Sequence, residues 1–312
     1  MPAQPAIVTD VPILAQREPT AHKGQVGRVG IVAGSPGMSG AAVLCALGAL
    51  RGGAGLVRVY CPTSIQPIVA ASEPCLMTVG LEHQPAGAGA AGAAGEALAG
   101  DTWPDVLAVG PGLGEGDTAA RVTTAALSSG RPVVLDADGL RVFMAGGCAS
   151  PREHRSAGIR WPAVLTPHPG EMTRLRDGAG LSPLAGDDDA TRVRVAHEYA
   201  CLSGSVIVLK GYRTVVCTPS HAFINTTGNP GMASGGMGDV LTGLIAALIG
   251  QGLAPFEAAC LGVQVHGLAG DLCAKRIGPI GFLARDVADA LPAALADALR
   301  PRMGFHQPTQ NA

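Results

Sequence analysis

The chain has 312 residues, 47% hydrophobic, 15% charged and 3% aromatic, with a net charge of −2 and a mean hydropathy of +0.29. That allows one large α/β core or two small ones, built mainly of Ala, Val and Leu, while the lack of any Lys/Arg cluster argues against nucleic acid or an anionic membrane as partner. Apolar runs near 41–50 and 240–249 are too short to cross a bilayer, and no charged-then-apolar leader opens the chain, so a soluble cytoplasmic protein is expected.

Residues 1–25 carry four prolines and little periodicity and read as an arm leading into a domain over 26–300. Val26–Ala33 is the first strand, ending in the glycine loop Gly34–Gly40; a helix over Ala41–Arg51 and a strand over Leu56–Tyr60 follow. Strand, glycine loop, helix and strand in that order open an α/β unit with a ligand-facing loop, although a plain tight turn fits the glycines equally. The small, apolar stretch 85–100 reads as a surface loop or poor helix. Asp105–Val109 is a strand ending in a second glycine loop, Gly110–Gly114. Arg131–Leu135 is another, closing in Asp136-Ala-Asp138-Gly139, whose strand-end carboxylates are placed for a water-bridged magnesium ion, unless Asp138 caps a helix from Leu140.

After an exposed loop over 146–158, Ala163–Thr166 is a strand running into Pro167-His-Pro-Gly-Glu171. Two prolines fix the backbone around His168 and suggest a side chain aimed at something; Glu171 could begin a helix or help hold a metal ion. Asp187–Ser203 reads as a helix. Ser205–Leu209, Thr214–Thr218 and Ala222–Asn225 follow as antiparallel hairpin strands. Lys210, the sole charge ending an apolar strand, could meet a phosphate or be a solvated turn lysine. Helices are expected over Pro255–Ala274 and Ala284–Leu299, then a disordered tail from Pro301. The eight cysteines (Cys45, Cys61, Cys75, Cys148, Cys201, Cys217, Cys260, Cys273) form no C-x-x-C pair and read as buried thiols in a reducing compartment.

The chain is organised around Asn225–Asp239, where five glycines fall between Gly228 and Gly238, followed by the apolar helix expected over 240–249. A glycine-rich loop feeding a helix N-terminus leaves main-chain N–H groups unpaired beside a positive dipole end, which suits an anion. Asp239 in the first turn is either an ordinary cap or a base that takes a proton from an attacking hydroxyl. No Gly-Lys-Ser/Thr follows, so the loop is not a Walker A motif.

Six motifs in this order, Ala33–Ala41, Gly110–Gly114, Asp136–Gly139, Thr166–Glu171, Lys210–Thr214 and Asn229–Asp239, closely resemble the ADP/ATP-dependent NAD(P)H-hydrate dehydratases. The resemblance runs from about residue 9 to residue 300. It implies a ribokinase-like three-layer α/β sandwich, mostly parallel with antiparallel hairpins at one end. It further implies a stand-alone dehydratase, since the chain starts too late to hold the epimerase domain that many members carry, and a separate epimerase as functional partner.

The implied reaction is repair of the S epimer of hydrated NADH or NADPH (NADHX, NADPHX), with ADP or ATP donating a phosphoryl group to the C6 hydroxyl and magnesium bridging donor phosphates. The Gly/Ala-rich composition leans towards a bacterial source and ADP. The resemblance places Ala41, Gly112, His168 and Asp239 against the hydrated dinucleotide. It places Lys210, Gly211, Tyr212, Arg213, Thr214 and Gly238 against the AMP part of the donor. The reacting centre falls on Gly236, Met237, Gly238 and Asp239; no direct metal ligand is implied, Glu171 acting at most through water. A homotetramer is also implied. Two rivals share the site: a ribokinase-like kinase acting on a small alcohol, and a nucleotide-binding protein without turnover.

Overall fold

Short runs of Val, Ile, Leu and Ala with both faces buried are what a parallel sheet covered on two sides demands, and they form the centre of the molecule. The computed structural model describes residues 4–81, 98, 100–144, 164–183 and 185–298. Ten strands, β1 (Ala6–Val8), β2 (Arg28–Val32), β3 (Leu56–Pro62), β4 (Met77–Leu81), β5 (Val106–Val109), β6 (Val133–Leu135), β7 (Val164–Leu165), β8 (Val206–Leu209), β9 (Val215–Cys217) and β10 (His221–Ile224), share one sheet. Its order is β1-β10-β9-β8-β7-β6-β5-β2-β3-β4. Pairing is parallel except where β9 meets β8 and β10, so the antiparallel hairpins lie where the sequence puts them.

Alternate residues feed two cores. Val29, Ile31, Val106, Ala108, Val206 and Val208 face one layer; Val32, Leu107, Val109, Leu135, Ile207 and Leu209 face the other. Helices α1 (Ser39–Arg51), α6 (Met237–Gly250), α7 (Pro255–Arg276) and α8 (Ala284–Ala298) cover the first face. On the opposite face lie α3 (Asp117–Ser128), α4 (Pro169–Gly178), α5 (Asp189–Ser203) and the 3-10 helix Ala137–Phe143. A short α2 (Gln66–Ser72) packs by β4. Helices α1 and α6 cross so closely that a Cβ at Gly243 would lie 1.8 Å from the Cys45 carbonyl oxygen. Only glycine fits there, and the crossing fixes where α6 begins.

Several expectations need correction. The arm over 1–25 contains β1, which pairs parallel with β10. The central helix starts at Met237, three residues before the apolar run, because helical geometry begins as soon as Gly236 has made its turn. No α-helix starts at Leu140; a 3-10 helix begins at Ala137. The loop over 146–158, the tail from Pro301, Cys148 and, apart from residues 98 and 100, the stretch 85–100 lie outside the described residues. Among the described residues, no helix is long and apolar enough to cross a membrane.

Candidate active site

The C-terminal ends of the parallel strands converge below the start of α6, the place where open α/β sheets bind ligands. Gly236 is the N-cap residue, with φ 89°, and a Cβ on it would lie 2.4 Å from Leu44 Cδ1. The left-handed backbone is what favours glycine there, since Leu44 could swing aside. Having no side chain, Gly236 offers no acceptor to the first helical amides, and no side-chain cap is formed. The N–H groups of the first turn therefore have no partner within the helix and sit at its positive end. Met237 buries its side chain, so its main chain is what it can offer a ligand. Around Gly235 there is open space, with nothing within 4 Å of a Cβ placed on it. The helix start where an anion hole is expected has no side-chain cap and is open at Gly235.

Beneath it lies a buried charge pair. Lys210 Nζ, at the end of β8, donates to Asp136 Oδ1 at 2.6 Å, and the Thr242 hydroxyl from α6 donates to Asp136 Oδ2 at 2.7 Å. Asp136 is 1% exposed. Burial alone would raise its pKa, but Lys210, Thr242 and Thr166 together hold it below the ordinary aspartate value. Burial likewise pulls on Lys210, and the attraction of Asp136, Glu171 and Asp239 overrides it, raising its pKa. A Cβ at Gly238 would come within 3.1 Å of Lys210 Nζ, so glycine there admits the ammonium directly under the amide mouth. The next residue after Asp136, Ala137, has φ 47°, a left-handed conformation that non-glycine residues seldom adopt and that clusters at functional sites.

Asp239 stands beside this floor. Burial raises its pKa first, repulsion from Asp136 adds to that, Lys210 opposes it and Asp138 adds again, leaving it at about 7. A carboxyl poised near neutrality can accept a proton from an alcohol and return it, which an ordinary first-turn aspartate cannot do as readily.

The other expected residues fall around the same strand edge with altered roles. Gly112, with φ 61°, packs on Ala41: a Cβ there would lie 2.8 Å from the Ala41 Cβ. The two glycine loops are tied by Gly34 N donating to Pro111 O at 2.8 Å and Ser35 Oγ to Gly112 O at 2.9 Å. Asp138 does not cap a helix. It accepts from Gly114 N at 2.8 Å and holds the second loop, since as the second residue of the 3-10 helix it lies past the cap position.

His168 is the N-cap of α4, its Nδ1 accepting from the amides of Gly170 and Glu171, while Glu171 accepts from His168 N at 2.8 Å. Half of the His168 side chain is still exposed. Of the two readings left open for Glu171, the structure shows the helix start. Lys210, expected to meet a phosphate, has a carboxylate as its direct partner. In the turn after it, Gly211 and Tyr212 are exposed, Tyr212 by 86%. Arg213 pairs with Asp189 at 2.9 Å, and the Thr214 hydroxyl donates to Gly211 O.

Two residues of the site were given no role of their own from the sequence. One is Asp136, whose partners lie 74 and 106 positions away. The other is His266 on α7, hydrogen-bonded to the Met237 backbone and depressed by burial to about 4, hence neutral. Among the described residues no three His, Cys, Asp or Glu side chains gather to hold a metal.

Comparison with known proteins places the chain among relatives of one kind. The family model described as NAD(P)H-hydrate dehydratase matches residues 29–293. The bifunctional NAD(P)H-hydrate repair enzyme of Moorella thermoacetica is 43% identical over 281 residues, covering 89% of this chain and 51% of that protein. The chain spans about half the length of such curated relatives. The ADP-dependent (S)-NAD(P)H-hydrate dehydratase of Neisseria meningitidis is 33% identical, over 89% of this chain and 88% of its own. Among solved structures, the ADP/ATP-dependent NAD(P)H-hydrate dehydratase of Bacillus subtilis, co-crystallised with ATP/Mg2+, aligns with TM-score 0.73 at 28% identity, over 93% of this chain and all of that one. The ribokinase-like α/β fold expected from the motifs is the fold observed.

Proposed function

The chain belongs to the NAD(P)H-hydrate dehydratase family, and from that membership we propose that it repairs the S epimer of hydrated NADH or NADPH at the expense of ADP. The observation that carries the reading is Asp239, near-neutral in proton affinity, beside an uncapped and open helix mouth. Asp239 takes the proton of the C6 hydroxyl as its oxygen attacks the terminal phosphorus of the donor. The bond from phosphorus to the bridging oxygen breaks, and AMP leaves. The C6–O bond then breaks, phosphate departs, and a proton lost from C5 restores the ring double bond.

The amides of Gly236, Met237 and Gly238 receive the charge on the migrating phosphoryl group; one such donor is worth about 2.7–4 kcal/mol. The Lys210–Thr214 turn and Gly238 take the AMP part of the donor, and Ala41, Gly112 and His168 take the dinucleotide. Magnesium, when bound with the donor, neutralises phosphate charge. ADP rather than ATP is proposed on the wording of the Neisseria relative's name. We further assign the protein to the cytoplasm, as a homotetramer working beside a separate epimerase.

A ribokinase-like kinase would use the same floor and mouth, but it would leave a stable phosphoester. The test is an assay of hydrated NADH with ADP and ATP side by side. Phosphate release coupled to return of reduced-nicotinamide absorbance is expected; a phosphorylated product that persists, or nucleotide binding with no phosphate release, would overturn the proposal. In the same assay Asp239→Asn should keep nucleotide binding and lose about 10²–10⁴-fold in kcat.

A further inference from the structure

Asp136 lies beyond the residues to which the family motifs assign a role, yet it is the most heavily bonded carboxylate of the floor. It accepts from Lys210 at the end of β8 and from Thr242 in α6, while its own backbone N–H donates to Val109 O at the end of β5. Thr242 lies three residues beyond Asp239, on the neighbouring turn of the same helix. One carboxylate thus ties the helix that carries Asp239 to the strand that carries the nearest ammonium. We propose that Asp136 is a positioning residue that keeps the Lys210 charge engaged away from Asp239, so that Asp239 remains basic enough to take the alcohol proton. The inference rests on the reading of Asp239 as the base and says what makes it one.

The charges around Asp239 can be counted element by element. Asp136 faces it from the end of β6, Asp138 from the 3-10 helix and Lys210 from the end of β8. The Cys45 thiol, fully buried on α1 and pushed well up by burial, stays neutral. His266 on α7, beside Met237, is neutral too. Glu171 from α4 acts on Lys210. Among the described residues Lys210 is therefore the one cation of the group, and an ammonium within about 4–6 Å of a free carboxylate lowers its pKa by about 1–3 units. An Asp239 so acidified would be ionised but a weak base. With Asp136 holding the ammonium at 2.6 Å, the pair is close to neutral as a unit, and burial governs Asp239.

Charge alone sets the direction of the test. Asp136→Asn is isosteric and can still accept from Thr242, but it leaves Lys210 facing Asp239 without its counter-charge. The acid limb of the kcat–pH profile should move down by about one unit or more. Lys210→Met removes the cation and should move the limb up. Opposite shifts support the proposal, because a purely structural role would lower kcat in both without moving the limb apart. Limbs that stay at the wild-type position, or move together, overturn it.

A readout free of turnover is carboxyl 13C NMR of the ligand-free wild-type protein, with the Asp239 signal assigned by its loss in Asp239→Asn. A midpoint of about 7 for Asp239, with Asp136 ionised throughout, supports the proposal even if a variant fails to fold. An Asp239 midpoint in the ordinary aspartate range overturns it. Should Asp239→Asn keep wild-type turnover, the base assignment itself fails, which the titration of Asp239 distinguishes from failure of the strut.

Discussion

Lys210 and Arg213 bracket one turn, each pairs with an aspartate, and the two pairs differ in almost every physical respect. Lys210 and Asp136 have side chains 18% and 1% exposed; for Arg213 and Asp189 the figures are 35% and 39%. The inner pair has left water and survives because each partner is satisfied, with Thr242 filling a second site on the carboxylate. Removing either half strands a buried charge. The outer pair keeps most of its hydration whether or not it forms, so its loss costs little. Four residues of sequence thus hold one charge locked under the site and one at the surface, and a lysine and an arginine in the same loop need not share a role.

The largest expected effect is on the inner pair. Lys210→Met should lower the unfolding free energy by about 3–5 kcal/mol, the usual result of orphaning a buried partner, read from urea denaturation at pH 7. A loss below 1 kcal/mol would erase the contrast with Arg213.

The second prediction concerns pH. Asp239 is raised in the folded state to about 7, so between the ordinary aspartate value of 3.8 and 7 the native protein holds a proton that the unfolded chain has released. Stability due to this group must fall as pH rises through that window. Asp136 works oppositely: its lowered pKa gives stability above the ordinary aspartate value, lost as pH falls through the folded one. Asp239→Asn should therefore raise Tm at pH 8 relative to wild type while flattening the decline between pH 4 and 7. A variant that melts lower at pH 8 would contradict the burial of an ionisable acid there.

Thr242→Val keeps shape and removes one donor to Asp136; unfolding data should show a loss of about 1–3 kcal/mol. Smallest of all, Arg213→Ala should change stability by about 0–1 kcal/mol, and a loss of 2 or more would show the outer pair to be shielded from water.

Much of this site was legible in the sequence because glycine marks it. Gly236 needs a positive φ and Gly112 a close approach to Ala41, and those needs appear as glycines in the chain whatever surrounds them. The apolar run after Asp239 announces a buried helix in the same local way. The partners of Asp136 were opaque for the opposite reason: an aspartate at a strand end looks alike whether it faces solvent or a lysine 74 residues on. Lys210 was singled out rightly as the lone charge ending β8, but a single chain does not reveal which anion it meets. His168 illustrates a third case. The flanking prolines marked a rigid place, and part of that rigidity serves to cap α4. Helices α2 and α3 and strands β1 and β4 went unread; β1 has only three residues, too few for alternation to register.

That shortest strand has a consequence for how the chain is made. Ala6 lies opposite His221, so the edge of the sheet is finished by pairing nearly the first described segment with one of the last strands. On a ribosome the β1 segment must wait, unpaired, until β10 has emerged, and contacts of such long range are slow to close. Until then β10 presents a bare row of amides and carbonyls to any neighbouring nascent chain. Loss of the β1 segment would leave the β10 edge unpaired.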